Sequence, residues 1–322
     1  MFRKQLLILC LFLPALSFAK TLVDTHGQLQ VKGNQIVGQH GNAVSLAGPS
    51  FFWSNTGWGA EKFYTADAVK YFHREWNAGI VRAAIGTFKN GGYISDKAGN
   101  LQRAEAIIDA AIAEGIYVIV DWHSHWAEKE AEVASEFFDY IAKKYNKYPN
   151  IIYEIYNEPL DKTSWEGDIK PYANKIIPVI RKHDPDNLIV VGTRTWSQDV
   201  DEAAASPLEG YSNIVYTLHF YAGTHKAELR AKAQKALDAG LALMVTEWGT
   251  VNANGDGDVD NESVKEWMAF LKKNKLSHCS WSAHDKQEGA SIFKPDTRAD
   301  GKWSDADLTK SGLLVKSIVK NW

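Results

Sequence analysis

Residues 104–123 read AEAIIDAAIAEGIYVIVDWH, and the fold can be argued from this stretch. Ala104, Ile107, Ile108, Ala111 and Ile112 recur at the three-to-four spacing of an amphipathic helix over Ala104 to Ala113. The run from Ile116 to Val120 is short, continuous and β-rich, as in a strand buried on both faces. It ends on Asp121-Trp122-His123, three chemically capable side chains where the strand stops.

The same alternation continues in both directions. Apolar runs occur at Val44 to Ala47, Gly79 to Ala84, Ile116 to Val120, Ile151 to Ile155, Leu188 to Val191, Ile214 to Leu218, Leu241 to Thr246 and Leu276 to Trp281. Helical patterns lie between them, at Ala131 to Lys144, Pro171 to Arg181, Ala227 to Ala239 and Ser263 to Lys273 among others. Strand, helix, strand at this period specifies a parallel sheet, and eight units close a (β/α)8 TIM barrel. An open doubly wound sheet is the alternative, but no Gly-rich fingerprint follows the first strand. Leu29 to Gly41 reads as a β-hairpin that caps the barrel floor. No linker-like segment divides the chain, so one domain over residues 20–322 is expected.

The composition suits a large core, with 45% hydrophobic and 23% charged residues in 322. The 12 Trp, 13 Tyr and 13 Phe exceed what packing requires, so some rings are expected to face a ligand. The formal charge of −3 comes without a basic cluster, which argues against nucleic acid as a partner. Residues 1–19 read as an export signal: Arg3 and Lys4, the apolar Leu6 to Leu13, then Ser17-Phe18-Ala19 before the cut. A secreted protein is therefore expected, extracellular or in transit through a periplasm, a monomer without a membrane span. Removal of Cys10 with the leader leaves Cys279 as the only thiol and excludes an intrachain disulfide.

In such barrels chemistry sits where strands end. Arg82 lies on the second run; Asn157-Glu158-Pro159 follow the fourth, Thr195-Trp196 the fifth and His219-Phe220-Tyr221 the sixth. Glu247-Trp248-Gly249 follow the seventh, and Trp281 ends the eighth. A single Glu at a strand end is most often a solvated loop residue. Two of them, Glu158 and Glu247 across one barrel mouth, match the carboxyl pair of a glycosidase. Asn157 is placed to hold a sugar hydroxyl and Trp281 to offer an apolar ring face.

These strings resemble glycoside hydrolase family 5. The likeness lies in Ile155-Tyr156-Asn157-Glu158-Pro159, Val245-Thr246-Glu247-Trp248-Gly249, Val81-Arg82-Ala83-Ala84, Leu218 to His225 and Gly192 to Val200. It is strongest toward bacterial endo-β-1,4-glucanases and runs from about Leu29 to Ser317. It implies a TIM barrel and a retaining double displacement with Glu158 as acid/base and Glu247 as nucleophile. Arg82 would hydrogen-bond Glu247 and favour its charged form, and the charge on Glu247 would raise the pKa of Glu158. His123, Asn157 and Tyr221 would contact the sugar before the scissile bond, and His219 would orient Glu158 or the sugar beyond. Trp281 would floor that site, with Lys286 and Glu288 binding hydroxyls further along. Trp196 would stack on the leaving-group side and Trp58 at the far non-reducing end. The chain departs from the more familiar pattern at Phe51 to Trp58, where Phe52 takes the place of a His, at Gly86, and at Asp121 to His125.

The implied substrate is cellulose or mixed-linkage β-glucan, soluble or amorphous in preference to crystalline. A β-mannanase, a xylanase or a non-catalytic sugar-binding barrel are the alternatives. No cofactor is expected. Asp121, His123 and His125 raise a metal site only weakly, because no third ligand cluster accompanies them. The loop Asn252 to Asp258 begins like a calcium loop but lacks the closing Glu in either frame. Trp76 and Trp267 sit inside helical patterns and read as core.

Overall fold

The structure, a computed structural model, describes residues 20–322; the proposed leader, with Cys10, lies outside the described residues. A two-stranded antiparallel hairpin, β1 (Gln30–Lys32) and β2 (Gln35–Val37), precedes eight parallel strands. These are β3 (Ala47–Phe51), β4 (Ile80–Gly86), β5 (Tyr117–His123), β6 (Ile151–Glu154), β7 (Ile189–Val191), β8 (Ile214–Tyr221), β9 (Leu243–Gly249) and β10 (His278–Ala283). They pair in chain order, and β10 closes on β3, giving the expected (β/α)8 barrel. The helices over Lys97–Glu114, Ala131–Tyr145, Lys170–Arg181, Ala227–Asp238 and Asn261–Asn274 contain the five helical patterns almost to the residue. None of the helices among the described residues is long and apolar enough to cross a membrane.

The first strand differs from the sequence expectation. The apolar run Val44 to Ala47 looks more like a strand than Ala47-Gly48-Pro49-Ser50-Phe51, yet the latter pairs with β4 and β10. Gly48 explains the choice: a Cβ there would lie 1.6 Å from the carbonyl oxygen of Ile80, so only glycine lets β3 approach β4. Val44 and Leu46 instead join Leu29 and Ile36 of the hairpin region beneath the barrel. There they pack on the lowest inward layer, Ile80, Tyr117, Ile119, Ile152, Val190, Val215, Met244 and Cys279. The hairpin is thus the floor, as expected.

Outward-facing strand residues pack on the helices in one large cluster. Trp267 stacks on Phe220 at 3.8 Å between ring centroids, and Trp76 is fully buried, so both are core. Trp248 Nε1 donates to His278 Nδ1 at 3.0 Å, and burial pushes the His278 imidazole down to about 3, leaving it a neutral acceptor.

Strand β9 breaks the regular register near its C-terminal end. Between Met244 and Glu247 β9 advances three residues while β8 advances two, and β10 shows the same offset between Val245 and Trp248. This bulge lets consecutive residues Thr246 and Glu247 both face the barrel interior, which strict alternation forbids.

Gly48→Ala is expected to cost at least about 3 kcal/mol, the upper end of ordinary overpacking, because the obstacle is backbone. Calorimetry should show a drop of several degrees; an unfolding midpoint within one degree of the parent would refute the close-approach argument.

Candidate active site

Above the apolar floor the barrel carries a polar layer built around Arg82 of β4, which is completely buried. Its Nε donates to Glu154 Oε2 at 2.7 Å, and Nη1 donates to Glu247 Oε2 at 3.0 Å and to Ser50 Oγ at 3.3 Å. Nη2 donates to Asn157 Oδ1 at 2.6 Å and lies 2.9 Å from Asp121 Oδ2. Burial disfavours the guanidinium charge, but Asp121, Glu154 and Glu247 outweigh it, and its pKa stands well above the ordinary value. The carboxylates bear the cost. Burial raises Glu154, and it pushes Asp121 up to about 7 against the pull of Arg82. Arg82 hydrogen-bonds Glu247, as the resemblance implies, and, wholly enclosed, it also holds Asn157.

Glu247 is held from two sides, by Arg82 at Oε2 and by the Tyr221 hydroxyl, which donates to Oε1 at 2.7 Å. Glu158 is held by two imidazoles, His219 Nδ1 at 2.9 Å from Oε1 and His125 Nε2 at 3.2 Å from Oε2. Atoms of Glu158, His219 and Glu247 all lie within 4.8 Å of one another. The Thr246 hydroxyl donates to Glu154 Oε1 at 2.6 Å, so its oxygen accepts from His219 Nε2 at 2.8 Å. That assigns the ring hydrogen to Nε2 and turns Nδ1 toward Glu158.

The protonation of Glu158 therefore departs from the sequence expectation. Burial would raise its pKa, but hydrogen bonds from His125 and His219 outweigh burial and lower it. His219 moves the other way: burial disfavours its charge, and Glu158 and Glu247 together raise its pKa. The two groups hold one proton in common, and their opposite shifts draw it toward His219.

Two hollows meet at the carboxyl pair, and Glu158, Glu247 and Tyr221 line both. The larger, about 560 Å³, is walled by Thr195, Trp196, Gln198, His225, Ala253 and Asn254. The other, about 320 Å³, is walled by Phe52, Trp53, His123, His125, Trp281, Lys286 and Glu288. Trp196 is 38% exposed and offers its ring to the first. Trp281 lies parallel to His123 at 5.2 Å in the second. His123 Nδ1 pairs with Asp121 at 2.6 Å, and burial keeps this ring neutral. His125 turns instead to Glu158, so Asp121, His123 and His125 do not converge on one point. Lys286 and His284 both engage Glu288, at 2.6 and 2.9 Å. Trp58, 38% exposed, sits further out beside Trp53 at 5.6 Å. Asn157 Nδ2 is buried without a partner.

Sequence reading missed the roles of Glu154, Thr246 and His125. Glu154 left one signal, an acidic residue inside the apolar run Ile151 to Ile155, which demands a buried cation. Thr246 left none, since threonine is ordinary in a strand. Ala253 and Asn254, on the loop that begins like a calcium loop, line both hollows.

The model for Cellulase (glycosyl hydrolase family 5) matches residues 37–287. Among curated proteins, Endoglucanase Z of Dickeya dadantii is 52% identical over 91% of this chain and 66% of its own length. An endoglucanase of Clostridium saccharobutylicum is 43% identical over 91% of this chain and 65% of its own. The chain thus spans a little less than two thirds of these relatives. A solved structure from Cytophaga hutchinsonii superposes with a TM-score of 0.91 at 50% identity, covering 94% of this chain and 97% of that one. The catalytic domain of a Thermobifida fusca endoglucanase, in complex with cellotetraose, superposes at 0.87 with 34% identity, covering 93% and 99%. With its barrel, its carboxyl pair and these likenesses, the chain belongs to glycosyl hydrolase family 5, the cellulase family.

Proposed function

We propose that this protein is an exported endo-β-1,4-glucanase that cleaves internal bonds of cellulose or mixed-linkage glucan with retention of anomeric configuration. One observation carries the reading: carboxyl oxygens of Glu158 and Glu247 come within 4.8 Å where two hollows join. Retention requires carboxyls about 5 Å apart, whereas inversion needs about 6.5–9.5 Å to admit a water. Hollows on both sides of the pair suit a chain gripped in its interior. The endoglucanase names of the relatives and the cellotetraose bound to the Thermobifida domain support the substrate class. The leader-like residues 1–19 support export.

In the first step a lone pair of Glu247 forms a bond to the anomeric carbon. The glycosidic C–O bond breaks, and its electrons go to the leaving oxygen, which takes the proton shared by Glu158 and His219. In the second step Glu158 draws a proton from water. The resulting oxygen attacks the anomeric carbon and releases Glu247, and a second inversion restores the β-configuration. Arg82 and Tyr221 fix the nucleophile so that little reorganisation remains at the moment of attack. The unpartnered Asn157 Nδ2 donates to the sugar 2-hydroxyl beside the anomeric carbon.

Glu247→Ala is expected to reduce turnover by on the order of 10⁴-fold or more, as loss of a nucleophile does. NMR of the parent's early products should show the β-anomer first; initial release of the α-anomer would overturn the mechanism. Comparison of carboxymethylcellulose, lichenan, mannan and xylan tests the substrate, and a preference for either of the last two would replace glucan in this reading.

The pH dependence follows from the shared proton. Because the pKa of His219 is raised, the pair keeps its proton through the ordinary imidazole range and loses it as pH rises further. kcat/KM should hold through neutrality and fall on the alkaline side. His219→Asn, which takes the raised imidazole out of the pair, should move that limb at least about one pH unit toward acid. An alkaline limb unmoved by this substitution would show that the proton is not shared.

A further inference from the structure

Thr195, Trp196 and Ser197 occupy the left-handed region in succession, with φ of 58°, 53° and 58°. None is glycine, and L-residues rarely take this conformation singly, let alone three in a row. Such a turn persists only where its surroundings impose it. Here they do so at both ends. The Trp196 amide donates to the Pro159 carbonyl at 2.8 Å, and the Ser197 hydroxyl donates to the Asn157 carbonyl at 2.7 Å. These are the residues on either side of Glu158. On the far side the Thr195 hydroxyl donates to Asp199 Oδ2 at 2.6 Å, while Lys232 Nζ donates to Asp199 Oδ1 at 2.6 Å. Arg194 Nη2 lies 3.2 Å from the same carboxylate. Asp199 is buried, lines neither hollow, and is anchored to Lys232 on the helix Ala227–Asp238, a separate part of the barrel wall.

We infer that Asp199 is a positioning residue that, through Thr195, locks the left-handed turn and fixes the Trp196 ring in register with Glu158, setting productive binding of the leaving-group sugar. The inference rests on the endoglucanase reading and adds to it a residue that touches no substrate. The carboxylate has the chemistry the role needs. Its two oxygens tie a hydroxyl of the turn to a cation of a rigid helix, a charge-assisted link that a neutral side chain reproduces only in part. The anchored turn then holds the ring at little entropic cost when the sugar arrives.

The test compares two substrates on the full chain. Cellotetraose needs the leaving-group side, whereas β-cellobiosyl fluoride departs as fluoride and makes no contact with Trp196. For Asp199→Ala the ratio of kcat/KM on cellotetraose to that on the fluoride is expected to fall about tenfold, chiefly through KM for cellotetraose. Asp199→Asn, which still accepts from Thr195, should recover part of it. In a Trp196→Ala background the same Asp199→Ala change should leave the ratio where Trp196→Ala alone puts it, because the two act through one ring. Should Asp199→Ala fail to fold, Lys232→Met at the exposed end of the network should lower the ratio by about threefold. Equal losses on both substrates, or losses that multiply in the double variant, would overturn the inference. A parent protein that cleaves neither substrate would instead overturn the endoglucanase reading.

Discussion

One buried guanidinium organises this barrel. Arg82 brings a full positive charge to a place with no solvent, and that charge is tolerable only with close, well-oriented carboxylates around it. Asp121, Glu154 and Glu247 supply them from β5, β6 and β9. The cation thereby ties β4 to its neighbour β5 and to β6 and β9, which β4 does not touch in the sheet, at the level where the apolar floor gives way to the reacting groups. Three carboxylates around one cation are more than neutrality needs, which is why burial can push Asp121 up to about 7. The surplus is useful: the protein can hold a carboxylate in a fixed orientation beside the cleft because the other two already help to satisfy Arg82.

Orientation of Glu247 also depends on a local break in the sheet. With Met244 facing the floor layer, regular alternation would send Glu247 outward among the helices, where Trp248 in fact goes. The β9 bulge inserts the extra residue that turns Glu247 inward while keeping Thr246 inward as well. Both orientations are used: Thr246 sets the tautomer of His219, and Glu247 meets Arg82 and Tyr221. A one-residue irregularity thus places two adjacent side chains in two different parts of the same machinery.

The barrel was legible because its signal is redundant: eight apolar runs and the helical patterns between them repeat one unit, and a misplaced first strand does not change the count. That strand was illegible because Gly48 and Pro49 have poor strand propensity, and what selects them is an approach to Ile80 visible only once β4 is in place. Glu158, Glu247, Trp196 and Trp281 were legible because they stand where apolar runs end and resemble known strings. Glu154 and Thr246 were hidden within such runs, where their function depends on partners in other strands. The protonation of Glu158 was misjudged for the same reason. Repulsion by Glu247 can be argued from two strand ends, but the His125 contact requires knowing how the chain turns after β5 stops at His123 and brings that ring onto Glu158.

The hydrogen bonds leaving Arg82 give the two carboxyls different status. Glu247 is bonded to the cation directly. Glu158 is reached only along the chain Arg82 to Glu154, Glu154 to Thr246, Thr246 to His219 and His219 to Glu158. A nucleophile needs a fixed position and a steady environment, which a direct contact with a permanently charged group provides. An acid that must later act as a base needs the opposite, a partner that can take the proton or return it within one hydrogen bond. Substituting lysine for Arg82 would give up the fork that addresses Glu154, Glu247 and Asn157 at once. Replacing His219 with a residue of fixed charge would hold Glu247 in place and still remove the exchange that lets Glu158 change roles. The separation of the two functions is therefore a matter of distance along one network, with charge seated at its root and the mobile proton at its tip.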